Sequence, residues 1–117
     1  MKLFLIFFLF IQFNFAQELK NQKVLSFETK KEIMDYMKKE IAPSLGVKCS
    51  FCHNVRDFAS DENKHKEITR QMITMTNSIN KNTMTPLAYE PINCWTCHQG
   101  NTDPLRSKAS SIIKSTK

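Results

Sequence analysis

Two segments of the chain repeat apolar residues every three or four positions, which is the period of an α-helix. The first carries, among lysines and acids, Ile33, Met34, Met37 and Ile41. The second carries Ile68, Met72, Met75 and Ile79, which are four, three and four residues apart. Such stripes are typical of helices that bury one face. Because the strict alternation of a β-strand is scarce, the pattern predicts an all-α fold.

Local signals bound the first of these helices. Thr29 followed by Glu32 forms a capping-box pattern, so the first helix should begin at Thr29. Pro43 and Gly46 should end it, because proline disrupts a helix interior and glycine favours the position after one. A turn then leads to Cys49, where a short helix is expected.

The second segment repeats this order of elements. After a polar loop, a helix is expected from about Lys64 to Asn80. Pro86 and Pro91 then mark an irregular connection to a short helix at Cys94. The chain is therefore predicted to contain two helix-turn-helix units, which form an approximate internal repeat.

The N-terminus has the pattern of a secretory signal peptide. Lys2 is followed by an apolar run, Leu3 to Phe13, and then by the small residue Ala16, after which cleavage is expected. The apolar run is shorter than a typical membrane-spanning helix. Asn14 is unusual so close to a cleavage site, and an uncleaved N-terminal anchor is therefore the alternative. The sequence predicts export to the periplasm.

Two five-residue patterns carry the candidate chemistry. Cys49 to His53 and Cys94 to His98 both read C-x-x-C-H, and together they hold all four cysteines and two of the three histidines. This is the attachment pattern of c-type haem. It predicts two covalently bound haem c groups. The thioether anchors would be Cys49, Cys52, Cys94 and Cys97, and the proximal iron ligands His53 and His98.

Haem attachment also suits the size of the chain. A domain of about 100 residues can bury only a modest apolar core, so two haems packed between the helical units would supply the rest. The expected organisation is a signal peptide at 1–16, an N-terminal linker at 17–28, a dihaem domain at 29–104 and a basic C-terminal tail at 105–117.

Zinc and dithiol sites are the alternatives, because both also use C-x-x-C pairs. The stretch between Cys52 and Cys94 is much longer than in a usual zinc ribbon, and four thiolates need no histidine after each pair. In an oxidising compartment, free thiols would pair as disulfides. Haem attachment accounts for both histidines, so the sequence favours it.

A sixth iron ligand is suggested by the methionines. The longer helix of each unit carries a Met-x-x-Met pair, Met34 with Met37 and Met72 with Met75. A thioether opposite the histidine gives the Met/His ligation of electron-carrying cytochromes c. The alternative is that these methionines simply fill the core. We expect one methionine of each pair to be a ligand.

The residues around these motifs resemble the cytochrome c subunit of photosynthetic reaction centres. The matching segments are Ile41-Ala42-Pro43, the Gly46 turn, Cys49 to His53, Arg70 to Thr76, Ile79-Asn80 and Cys94 to Gly100. The resemblance covers about residues 29 to 104, which corresponds to one dihaem half of the larger subunit. It implies units built from a helix with an axial methionine, a turn and a haem-bearing helix.

The resemblance implies that the leading methionine of each pair is the ligand. Met72 aligns without a gap. Met34 aligns after a two-residue insertion in the turn at Gly46, so Met37 is the substitute for it. Two departures stand out: the tetrahaem members have a histidine near the place of Pro86, and many have a lipoprotein cysteine that this chain lacks. We therefore expect a stand-alone dihaem cytochrome.

The charge of the chain bears on its partners. The formal net charge is +6, which would steer a carrier towards redox partner proteins with acidic docking faces. The lysines are spread along the chain, so a surface that merely keeps the protein soluble is the alternative. Export and haem attachment argue against a nucleic-acid role. Association with a membrane redox complex fits the resemblance, and the oligomeric state is left open by the sequence.

These features predict an exported dihaem cytochrome that passes single electrons without substrate chemistry. The alternatives are a peroxidase-like haem enzyme and a gas-binding haem module, both of which need an open distal site. Outside the motifs, His65 is expected to be a solvated surface histidine. Arg56 and Arg70 are expected either to pair with haem propionates or to be solvated or helix-pairing residues.

Overall fold

Helices and turns make up the computed structural model, which describes residues 19–107. The elements are, in chain order, α1 (Lys30–Tyr36), a first π-helical segment (Met37–Ile41), α2 (Ala42–Leu45), a 3₁₀ turn (Cys49–Phe51), α3 (Lys64–Ile79), a second π-helical segment (Asn80–Met84) and α4 (Cys94–His98). Over these residues the chain forms no β-strand, only an isolated bridge between Asn54 and Asp57. The predicted all-α fold is confirmed.

The first helix begins where the capping box predicts. The Thr29 hydroxyl accepts a hydrogen bond from the Glu32 N–H at 3.2 Å. In return, the Glu32 carboxylate accepts one from the Thr29 N–H at 2.8 Å. Two amides that the helix leaves unpaired at its start are satisfied in this way, so local sequence alone fixes this boundary.

Pro43 does not end the first helix, contrary to the sequence prediction. The chain continues through Pro43 in α2 and leaves the helix at Gly46. In the preceding π turn, the Ala42 N–H donates to the Met37 carbonyl, five residues back. This wider turn comes just before the proline, which then stands near the start of α2, where its missing N–H and its ring are tolerated.

Two glycines join the halves of the chain. Gly46 ends α2 in the left-handed conformation, with φ of 65°. The Gly100 N–H, just after α4, donates to the carbonyl of the buried Ser44 at 2.8 Å. A Cβ on Gly46 would overlap the Gly100 carbonyl oxygen. The end of the first helix can therefore lie directly against the segment that follows the second C-x-x-C-H motif.

The second half follows the predicted boundaries closely. Asn63 caps α3 by accepting a hydrogen bond from the His65 N–H at 3.0 Å. The helix continues past its expected end, through the second π segment, and irregular chain follows as predicted. The Asn80 side chain both donates to the Ile92 carbonyl and accepts from the Ile92 N–H, at 2.8 Å each. This pair holds the approach to Cys94 against the helix.

The protein's own core is very small. Within residues 19–107 the buried residues are Ile41, Cys52, Ile73, Ser44 and Arg70. The apolar stripe predicted on α3 is not the buried face of that helix, because Ile68, Met72 and Met75 are 46%, 37% and 46% exposed. Ile73 and Arg70 face inward instead. The protein's side chains thus leave most of the stripe uncovered.

Some of the predicted segments lie outside the residues that the structure describes. The expected signal peptide, 1–16, and residues 108–117 of the expected tail fall outside the described residues. None of the helices within the described part is long and apolar enough to cross a bilayer. The start of the expected linker is likewise outside, while Asn21 and Lys23 contact the loop that precedes α3. The domain boundaries stay a prediction.

Gly46→Ala should destabilise the protein more than Gly100→Ala. Both glycines have positive φ, 65° and 81°, so each substitution carries the left-handed cost of about 1–2 kcal/mol. Only Gly46 adds an overlap with backbone, since a Cβ on Gly100 finds ordinary contacts. Denaturant unfolding of the two variants checks this, and equal losses would contradict the close glycine contact.

Candidate haem-attachment sites

The first C-x-x-C-H motif lies in a tight turn. The N–H groups of Cys52 and His53 both donate to the Cys49 carbonyl, at 3.3 and 3.0 Å. This turn brings the second cysteine and the histidine back over the first cysteine. Cys49 is exposed, whereas Cys52 is 8% exposed. The predicted short helix here is a single 3₁₀ turn.

The second motif is the short helix α4. Asn93 and Thr96 cap it reciprocally, with each backbone N–H donating to the other's side chain. His98 is its last residue, and Gln99 follows in the left-handed conformation with φ of 49°. Cys94 is half-buried and Cys97 is exposed. All four cysteines carry free thiols.

Each motif histidine is held through the same ring nitrogen. His53 Nδ1 lies 3.1 Å from the Phe58 carbonyl oxygen, and His98 Nδ1 lies 2.8 Å from the Asn101 carbonyl oxygen. A carbonyl can only accept, so the proton must sit on Nδ1 in both rings. The lone pair of Nε2 is then available to bind a metal from a fixed ring orientation.

The charge states of the site residues also suit this role. Burial lowers the pKa of His53, and the cations of Lys66 and Arg70 lower it further against the opposing hydrogen bond to Phe58. The imidazole is therefore favoured in its neutral, metal-binding form. Burial raises the pKa of the Cys52 and Cys94 thiols. A raised pKa disfavours the thiolate that zinc or dithiol chemistry requires.

The zinc alternative gains no support from the geometry. Across residues 19–107, no three or more His, Cys, Asp or Glu side chains gather in a group that could hold a metal ion.

Helix α3 runs past both motifs. The Thr69 hydroxyl lies 3.9 Å from the Cys52 sulfur. Further along the helix, Ile73 and Thr76 line a cleft of about 130 Å³ that also contains Cys94. One side of α3 therefore faces the first motif near its start and the second motif near its end.

The two methionines of α3 lie about 60° apart around the helix axis, and they differ in how far each is from the side that faces the motifs. At 3.6 residues per turn, Met72 is about 60° from Thr69 and about 40° from Thr76 around the axis. Met75 instead lines a separate cavity of about 480 Å³, together with Lys23 and Val24. Met75 is also about 120° from Thr69 and about 100° from Thr76, so Met72 is the methionine nearer to the side that faces the cysteine motifs.

In the first pair, Met34 and Met37, the structure does not favour one methionine over the other. Met34 lies in α1, and Met37 opens the first π segment. Both are half-buried, so the structure keeps both as candidate ligands. The neighbouring Tyr36 and Glu40 line the same cleft as Cys94, which brings this helix close to the second motif as well.

A cluster of charges beside the first motif escaped the sequence analysis. The Asp61 carboxylate accepts hydrogen bonds from Lys23 at 2.7 Å and from Arg70 at 2.8 Å, and it forms an ion pair with Lys66 at 3.2 Å. Arg70 also pairs with Glu67 at 3.2 Å. The Arg70 hydrogen bond is the main cause that holds the pKa of Asp61 far below its usual range. Arg70 thus pairs with an acidic residue of its own helix, which is one of the two roles expected for it. Arg56 is exposed.

His65 is half-buried and makes contacts that the sequence analysis did not predict. Its ring stacks on Phe51 with centroids 4.3 Å apart and planes 17° apart. Its Nδ1 lies 3.2 Å from the Phe51 carbonyl oxygen. No sequence pattern indicates this contact, because it joins the start of α3 to the first motif across a loop. His65 therefore helps to hold that motif in place.

Comparison with known proteins identifies the family of this chain. The model of the family described as photosynthetic reaction centre cytochrome C subunit matches residues 14–114, which is most of the chain. This chain belongs to that family. The family's name describes c-type cytochromes, a class of electron-transport proteins that carry covalently bound haem c.

The relatives that this chain resembles are much longer proteins, and the chain matches only part of each. Cytochrome c-554 of Chloroflexus aurantiacus is 31% identical over 98 residues, which cover 81% of this chain and 24% of the relative. The photosynthetic reaction center cytochrome c subunit of Rubrivivax gelatinosus is 34% identical over 64 residues, 55% of this chain and 17% of the relative. The corresponding subunit of Roseobacter denitrificans is 36% identical over 78 residues, which cover 62% of this chain and 20% of the relative. This cytochrome spans a quarter or less of these relatives' length.

The residues present fit haem c. Each motif offers two free thiols and a histidine whose Nε2 is left for iron. The stripe on α3 is only partly covered by protein atoms, and an apolar macrocycle would cover it. Imidazole nitrogen and methionine thioether sulfur, both of which this chain offers, are donors that haem iron accepts.

Proposed function

We propose that this cytochrome is an exported dihaem carrier of single electrons. The observation that carries the proposal is the matching environment of His53 and His98, since each ring donates Nδ1–H to a backbone carbonyl. Two equivalent proximal ligands support two haems. Bound haem iron would supply a one-electron couple that needs no substrate at the metal.

In this proposal the chain's own residues divide the work of holding the haems. The thiols of Cys49 and Cys52 anchor the first haem, and those of Cys94 and Cys97 anchor the second. His53 and His98 bind iron from the proximal side while each keeps its Nδ1 proton on a carbonyl. That hydrogen bond fixes the ring and makes Nε2 a more basic ligand.

Methionine thioethers would close the sixth position of each iron. For the second haem we propose Met72, because it is nearer than Met75 to the side of α3 that faces the cysteine motifs, and Met75 lines another cavity. For the first haem we propose Met34, with Met37 as the substitute. A thioether ligand raises the reduction potential. It also blocks the open position that a peroxidase-like enzyme or a gas-binding module requires.

The location and partners follow from the same proposal. Haem is attached to c-type cytochromes after export, so we propose a periplasmic protein that exchanges electrons with redox partner proteins. Two of the relatives are named as subunits of photosynthetic reaction centres, and association with a membrane redox complex is therefore part of the proposal. Exposed lysines, including Lys38 and Lys48, would suit acidic docking faces on such partners.

The intact mass of the matured protein should include two haems. Expression with a cytochrome c maturation system, followed by mass spectrometry under denaturing conditions, checks attachment and signal cleavage together. The mass should equal that of the chain cut after Ala16 plus two haems. The Cys94→Ser, Cys97→Ser double variant should carry one haem. A wild-type protein with a single haem would remove the dihaem proposal, and one with none would remove the cytochrome itself.

Met72→Ala should change one haem and Met75→Ala neither. Loss of the thioether would leave one iron without its sixth protein ligand, so its ferric spectrum should move towards high spin and its midpoint potential should fall. Optical spectra and redox titration of both variants check this. Met75→Ala is the matched control, because it removes a methionine of similar exposure, 46% against 37%, from the next turn of the same helix. Identical spectra for both variants would show that Met72 is not a ligand.

A further inference from the structure

The Lys66 ammonium is enclosed by the loop that precedes α3. Its side chain is 12% exposed. Its Nζ lies 3.0 Å from the Phe58 carbonyl oxygen, 2.9 Å from that of Ala59 and 2.7 Å from that of Ser60. A lysine has three protons to donate, so these three carbonyls can take all of them. Lys66 therefore gathers the loop around a single positive charge.

One of these carbonyls is shared with an iron ligand. The Phe58 oxygen accepts from Lys66 Nζ at 3.0 Å and from His53 Nδ1 at 3.1 Å. A carbonyl oxygen has two lone pairs, so it can accept both hydrogen bonds. The ammonium and the imidazole are thus connected through a single atom. His98 relies on a different carbonyl, that of Asn101, while the carbonyls that Lys66 contacts all belong to the first unit.

The ammonium is fixed in this position by Asp61. The carboxylate lies 3.2 Å from Lys66 Nζ and is itself held by Arg70 at 2.8 Å and Lys23 at 2.7 Å. Arg70 is buried, whereas the Asp61 side chain is 37% exposed, so the cluster reaches from the interior to the surface of the unit. The Lys66 ammonium is therefore held beside the Phe58 carbonyl by several contacts, unlike the ammonium of a flexible surface lysine.

We infer that Lys66 is a positioning residue that raises the reduction potential of the first haem through the Phe58 carbonyl. A cation on that oxygen draws electron density away from it, so the oxygen accepts less strongly from His53 Nδ1–H. The imidazole then donates less to iron, which disfavours the ferric state. The nearby positive charge acts in the same direction. This inference rests on the proposed function, since it requires a haem held by His53.

Lys66→Met tests the inference in the matured protein. We expect one of the two midpoint potentials to fall and the other to stay. Lys64→Met is the matched control, because it removes an exposed lysine from the same turn of α3 and should leave both potentials in place. Lys66→Arg keeps the charge and should restore most of the lost potential. In ¹⁵N-histidine-labelled protein, the Nδ1–H signal of His53 should shift in Lys66→Met, and that of His98 should not.

The outcomes separate this inference from the proposed function. Two haems by mass, with unchanged potentials in Lys66→Met, would overturn the role of Lys66 alone. A wild-type protein without haem would overturn the function itself. If Lys66→Met does not mature, Lys66→Gln, which keeps hydrogen-bond donors without charge, should show the same fall. If neither matures, the wild-type Lys66 ammonium signal in ¹⁵N-lysine spectra must exchange more slowly than that of Lys64, and equal exchange would overturn the inference.

Discussion

The apolar interior that the protein makes from its own side chains is too small to hold the fold. Within residues 19–107 the buried apolar residues are Ile41, Cys52 and Ile73. Fully burying an isoleucine stabilises a fold by about 1.5–3 kcal/mol, while ordering the backbone of one residue costs about 1–2 kcal/mol. These side chains therefore offset the ordering of only a few residues. In our account the covalently attached haems provide the missing interior, so the cofactor is structural as well as functional.

The chain around the motifs is built to fix two histidines. In the first unit, a 3₁₀ turn, the Phe58 carbonyl and the stacked pair of Phe51 and His65 hold the motif. In the second, the reciprocal Asn93 cap and the turn after His98 do so. The contact between Gly46 and Gly100 then joins the end of the first helix to the second motif. The two units thus share one framework although each holds its histidine by local bonds.

The sequence was informative wherever a short pattern determines local structure. The capping box at Thr29, the turn at Gly46 and the two C-x-x-C-H motifs are of this kind, and the helix start and turn are confirmed. Pro43 misled the prediction, because a π turn is set by packing and has no short signature. The stripe on α3 misled the prediction in another way. Its spacing is helical, as predicted, but the protein covers Ile73 on another side of the helix and leaves most of the stripe exposed. His65 and Lys66 depend on contacts across a loop, which spacing cannot reveal.

The central claim is that attached haem forms the interior, and denaturant unfolding tests it most directly. The chain produced with cytochrome c maturation would be compared with the same chain produced without it, by far-ultraviolet circular dichroism across a denaturant series. A variant with all four cysteines changed to serine would serve as a second haem-free sample. The account predicts cooperative unfolding for the matured protein alone, with reduced helix content and no cooperative transition in the haem-free chains. An equally cooperative transition with the same midpoint in the haem-free chains would contradict it.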